Sequence, residues 1–102
     1  MRLENISSDF LKKEIRNRME KHLDLKKYKV FIFGSRVTGK GDEHSDIDIG
    51  IEGDKPIPRV LFSNMRDEIE DIPILYTIEV VDFQRVPKEF RDIALQHIEL
   101  LK

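Results

Sequence analysis

A chain of 102 residues with a formal net charge of −2, 39% apolar and 37% charged, fits one domain around one core and excludes a disordered or fibrous protein. It has no cysteine, which excludes disulfides and thiolate chemistry and agrees with a reducing compartment. No apolar run approaches the roughly 20 residues of a membrane span, and the amino terminus shows no signal-peptide hydrophobic region, so a cytoplasmic location away from membranes is expected.

Ser7 or Ser8 can cap a first helix, and Asp9 then sits near the positive end of its dipole. Leu11, Ile15, Met19 and Leu23 recur at helical spacing and form an apolar stripe that ends near Asp24. This segment is also the basic part of the chain: residues 1–29 hold nine Lys/Arg against five acids, the remainder nine against fifteen. A solvated helix face accounts for that asymmetry, and a phosphate, an RNA or an acidic partner is the alternative use of it. Direct nucleic-acid binding is not expected.

Tyr28 to Phe33 is a compact run of β-branched and aromatic residues, read as a central strand. Gly34 to Ser45 reads as a turn or short helix followed by a loop, with Gly39 and Gly41 in it. Asp46 to Glu52 is a second strand, stopped by Gly53. Pro56 and Pro58 break the chain and open a second helix, with Leu61, Met65, Ile69 and Ile72 on one face, and Pro73 ends it. Tyr76 to Phe83 is the third strand. Pro87 begins a last helix carrying Phe90, Ile93, Ala94, His97 and Leu101. Phe31, Phe33, Phe62, Phe83 and Phe90 fall on core-type positions. The order α-β-β-α-β-α predicts a small α/β (α+β) sandwich, a short mixed sheet flanked by helices.

The chemistry concentrates in FIFGSRVTGKGDEHSDIDIGIEG, in which eleven residues separate Gly34 from Asp46. Residues i and i+2 of a strand share a face, so Asp46 and Asp48 project together while Ile47, Ile49 and Ile51 point the other way. Two ionised carboxylates so close repel each other unless a cation lies between them. Mg²⁺ is the expected occupant, because it takes carboxylate oxygens together with substrate phosphates. Just upstream, a strand ends at Gly34 and Ser35, where backbone N–H groups can cradle an anion. Arg36 can pair with a phosphate through its planar fork, and Lys40 lies between two glycines of the loop. His22, His44 and His97 lie in separate segments and lack the close spacing of metal ligands. On the third strand, alternation separates Glu79 from Asp82, so only one of them faces the carboxylate pair.

GSRVTGKGDEHSDIDIGI followed by YTIEVVDF resembles the minimal nucleotidyltransferases, the MNT family of the DNA polymerase β superfamily, and VVDFQRVPKEFRDIALQHIELL resembles the family's closing strand and helix. The resemblance implies the nucleotidyltransferase fold over residues 1–102 as a single domain. It implies that Gly34, Ser35 and Arg36 hold the phosphates of ATP, and that Asp46, Asp48 and Glu79 hold two Mg²⁺ ions. One of these carboxylates would help to deprotonate the acceptor hydroxyl. Glu79 occupies the place of the family's third acid, more often aspartate, and its extra methylene carries the carboxylate outward by about one C–C bond. Larger members carry further domains for base and acceptor, so a partner in a hetero-oligomer is expected to supply that surface here. Family members pair with a helical HEPN-type ribonuclease toxin encoded nearby. The implied function is transfer of AMP to a tyrosine hydroxyl of that toxin, which makes the chain an antitoxin. Two alternatives are a non-catalytic, nucleotide-sensing binding antitoxin, favoured by the Asp-to-Glu departure, and a transferase acting on a small molecule or an RNA end.

Overall fold

Strand alternation divides the apolar residues between two faces of one sheet. The computed structural model describes residues 8–34, 46–74 and 76–101. Its elements in chain order are helix α1 (Ser8–Glu20), strands β1 (Lys29–Phe33) and β2 (Ile47–Glu52), helix α2 (Arg59–Glu70), strand β3 (Ile78–Asp82), helix α3 (Lys88–Ala94) and strand β4 (Glu99–Leu100). The sheet runs β3-β2-β1-β4. β1 pairs antiparallel with β2 and β4, and β2 pairs parallel with β3, so the sheet is mixed as expected.

One face carries Val30 and Ile32 from β1, Ile47, Ile49 and Ile51 from β2, and Ile78 and Val80 from β3. They bury against Leu11, Ile15 and Met19 of α1 and against Met65 and Ile69 of α2. The 3.6-residue stripes of the two helices therefore meet the 2-residue alternation of the strands. The opposite face is smaller and aromatic: Phe31, Phe33 and Phe83 pack edge-on, with Val81, Val86, Ala94, Leu95 and Ile98 around them. Gly50 makes room for these rings, since a Cβ there would lie 2.4 Å from Phe31 and 2.8 Å from Phe83.

The carboxy-terminal element differs from expectation. The predicted helix through Leu101 stops at Ala94, and residues 99–100 instead pair with β1, Leu100 opposite Phe31 and Glu99 opposite Ile32. The physical reason is the open hydrogen-bonding edge of β1. Pairing there lets the Leu101 N–H donate to the Val30 carbonyl at 3.0 Å and seats Leu101 in the core. Glu99 then meets Lys12 of α1 at 2.6 Å. A second difference is Phe90, which is 44% exposed although its ring rests against Phe33 and Phe83.

The basic first helix is partly neutralised from within. Besides Lys12, Arg18 pairs with Glu14 and donates to the Glu68 carbonyl of α2, and Lys21 pairs with the Glu68 carboxylate. No helix among the described residues is long and apolar enough to cross a membrane.

Candidate active site

β2 opens with its carboxylates on the aromatic face. Ile47, Ile49 and Ile51 are fully buried under the helices, which turns Asp48 the other way, half-buried, with Asp46 exposed just before the strand. The parallel register of β2 and β3 sets Asp48 beside Glu79, and the two side chains hydrogen-bond. Burial, then the charge of Glu79, then that of Asp46 push the Asp48 carboxyl up from 3.8 to about 6. Three acids thus crowd one spot of the sheet, and the most buried of them holds its proton nearly to neutrality.

Gly34 closes β1 against the same spot. Its φ of +83° is a conformation that side chains disfavour, and a Cβ there would lie 2.6 Å from Asp48 Oδ2. Only glycine lets the turn pass this close to the carboxylate. Ser35 and Arg36, with Lys40 and His44, lie outside the described residues.

Among the described residues no three acidic or histidine side chains converge tightly enough to cage a metal ion alone. Mg²⁺ does not require such a cage: it is commonly held by one or two carboxylates and completes its octahedron with waters and substrate phosphates. Beyond burial, the charges of Glu79 and Asp46 raise the Asp48 pKa, and a divalent cation between the three carboxylates would relieve that repulsion, so the donor set fits Mg²⁺.

Asp82 faces away from this cluster. It is 5% exposed on the helix side of the sheet, where its carboxylate accepts the N–H groups of Ile57 at 2.8 Å and Gln84 at 2.9 Å, with Arg85 at 3.6 Å. These bonds tie the segment entering α2 to the end of β3. His22 is likewise engaged elsewhere, 2.5 Å from Glu68.

Sequence reasoning missed a pocket of about 380 Å³ beside the acids, lined by Phe33, Gly34 and Asp48 on the sheet side and by Phe90, Ile93, Ala94 and His97 on the other. Phe90, Ile93 and Ala94 stand at i, i+3 and i+4 on one face of α3, a spacing that reads as a core stripe and so hides the pocket they line.

A mixed sheet that gathers three acids beside a glycine turn, with two helices on one face, defines a protein of the nucleotidyltransferase fold. Residues 11–102 match the model of the polymerase beta nucleotidyltransferase family, and the chain belongs to that family. It is similar to the probable protein adenylyltransferase MntA of Haemophilus influenzae, with 27% identity over 66 residues, which make up 65% of this chain. The match spans 58% of that protein's length. Among solved structures, a toxin–antitoxin crystal structure with AMP-PNP matches with a TM-score of 0.70 and 15% identity, over 89% of this chain and 72% of that one. The complex of the tri-AMPylated Shewanella oneidensis HEPN toxin with its MNT antitoxin also gives a TM-score of 0.70, with 12% identity over 94% of this chain and 72% of that one. At these identities the likeness is one of fold.

Proposed function

We propose that this chain is a Mg²⁺-dependent nucleotidyltransferase that transfers AMP from ATP to a hydroxyl, a tyrosine hydroxyl, of a helical HEPN-type partner, and that it thereby acts as an antitoxin. The observation that carries the reading is the crowding of Asp46, Asp48 and Glu79 beside the Gly34 turn, with Asp48 pushed up to about 6. The similar proteins, an adenylyltransferase and antitoxins in complex with HEPN toxins, support the choice of acceptor.

In this reading the turn at Gly34, continued by Ser35 and Arg36, receives the β- and γ-phosphates, and the carboxylates of Asp46, Asp48 and Glu79 hold Mg²⁺. When bound, the metal neutralises charge on the phosphates and lowers the pKa of the attacking hydroxyl. The acceptor oxygen attacks the α-phosphorus, the bond from that phosphorus to the bridging oxygen breaks, and pyrophosphate leaves. The hydroxyl proton passes to one of the carboxylates of Asp46, Asp48 and Glu79.

The test is incubation of the chain with Mg²⁺, a HEPN-type toxin that it binds, and ATP labelled at either the α- or the γ-phosphate. Label from the α position alone, appearing on a tyrosine of the partner and absent with Asp48→Asn, is the expected result. Label from γ alone would mean phosphoryl transfer and overturn the reading. Stable complex formation without any label would leave a binding antitoxin.

A further inference from the structure

We propose that the pocket between β1 and α3 holds the nucleobase of the nucleotide, with Phe33, Phe90 and Ile93 as its apolar walls. The inference rests on the nucleotidyl-transfer reading above and adds to it the part of the substrate that the carboxylates and the glycine turn do not touch.

The argument begins with position. Across the aromatic face of the sheet, Glu79 on β3, Asp48 on β2 and the Phe33–Gly34 corner of β1 follow one another. The pocket lies on the β1 flank of this row and shares Gly34 and Asp48 as walls. A nucleotide whose α-phosphate is held at Asp48 therefore has its sugar and base within a few ångströms of the opening.

Chemistry then eliminates the other occupants. The triphosphate is unsuited to a wall of Phe33, Phe90, Ile93 and Ala94, because burying ionic oxygens against apolar carbon leaves them unpaired. The acceptor is unsuited for a geometric reason. An in-line displacement brings the nucleophile in opposite the leaving group. Pyrophosphate leaves on the Gly34 side, so the acceptor approaches from the Glu79 flank, away from this pocket. A flat, uncharged heteroaromatic ring is what remains. The half-exposed ring of Phe90 offers it a stacking surface with buried Phe33 behind it, and His97 in the lining is a polar group that can meet an edge of the ring. Phe90 and Ile93 stay 44% and 68% exposed, so among the described residues nothing buries this apolar wall from the solvent side.

Binding is the measurement, with no need for turnover. Titration calorimetry of the full chain with Mg·ATP and with Mg·tripolyphosphate, which lacks sugar and base, separates the two halves of the ligand. The wild type is expected to bind ATP about tenfold or more tightly than tripolyphosphate, the size of effect one stacked base gives. Phe90→Ala and Ile93→Asn, both at exposed positions and neither altering the charge of the site, are expected to remove that preference and to leave tripolyphosphate affinity unchanged. If both variants keep the preference, or if the wild type shows none, the base does not lie here while the nucleotidyl-transfer reading stands. If neither ligand binds the wild type in the presence of Mg²⁺, this inference falls together with the reading on which it rests.

Discussion

At the scale of single residues, the site and the fold use carboxylates in opposite ways. Asp48 is half-buried and crowded by Glu79 and Asp46, and it holds its proton up to about 6, above its ordinary 3.8, so the folded state binds that proton more tightly than the unfolded chain. Stability from this group is therefore present below the ordinary value and lost as the pH rises through about 6. Asp48→Asn, which removes the charge and keeps the shape, is expected to raise the melting temperature of the ligand-free chain at pH 7.5 and to leave it unchanged near pH 4; equal effects at both pH values would rule out charge repulsion as the cause. Asp82 works the other way, as an acceptor for two backbone N–H groups. Asp82→Ala orphans both in a buried setting and is expected to cost about 2–3 kcal/mol in urea denaturation. Glu79→Gln, at an exposed position, is expected to stay within about 0.5 kcal/mol of wild type and to lower AMP transfer about a hundredfold, as for a displaced catalytic group. Similar losses of stability in both variants would show that the two faces of β3 had been assigned wrongly.

At the scale of elements, what was legible followed from periodicity, and what was missed followed from tertiary pairing. Leu11, Ile15 and Met19 at helical spacing, and Ile47, Ile49 and Ile51 at strand spacing, state their buried faces directly, and the structure buries all six completely. The same alternation separated Glu79 from Asp82, the family resemblance chose Glu79, and the parallel register of β2 and β3 sets Glu79 beside Asp48. The β4 strand was not legible because Phe90, Ile93, Ala94, His97 and Leu101 keep helical spacing beyond the end of α3; only the open edge of β1, a partner distant in sequence, decides otherwise. The pocket was missed for the same reason, since the apolar face of a two-turn helix becomes a pocket wall only when β1 lies opposite. The α1–α2 contact was equally silent in sequence. It closes on Glu68, whose acidity is strengthened by hydrogen bonds from Lys21 and His22. A lowered carboxylate pKa stabilises the fold above its ordinary 4.5 and loses that contribution as the pH falls through the lower folded value. Glu68→Gln is accordingly expected to lower the melting temperature at pH 7 and to approach wild type in acid well below the ordinary 4.5, the reverse of the Asp48→Asn profile; a penalty that persists there would point to packing rather than charge.

At the scale of the whole molecule, the acid cluster makes stability and ligand binding pull in opposite directions, and one variant exposes both. The ligand-free chain carries the burial of the Asp48 charge and its repulsion by Glu79 and Asp46 as a standing cost of its fold. A ligand that binds only the folded state stabilises it by about 2.7 kcal/mol at a hundred times its Kd. For a domain of this size that corresponds to a rise of about 10–20 °C in melting temperature. Mg·ATP is expected to give the wild type such a rise, because cation and phosphates relieve the repulsion they find. Asp48→Asn is expected to start from a higher melting temperature without ligand and to gain little from Mg·ATP, so the order of the two proteins reverses when ligand is added. A variant that was merely misfolded would lie below wild type in both scans. One whose aspartate had no part in binding would keep the full ligand-induced rise. The crossing of the two melting temperatures is therefore the result that only a carboxylate destabilising the empty fold and holding the ligand can produce.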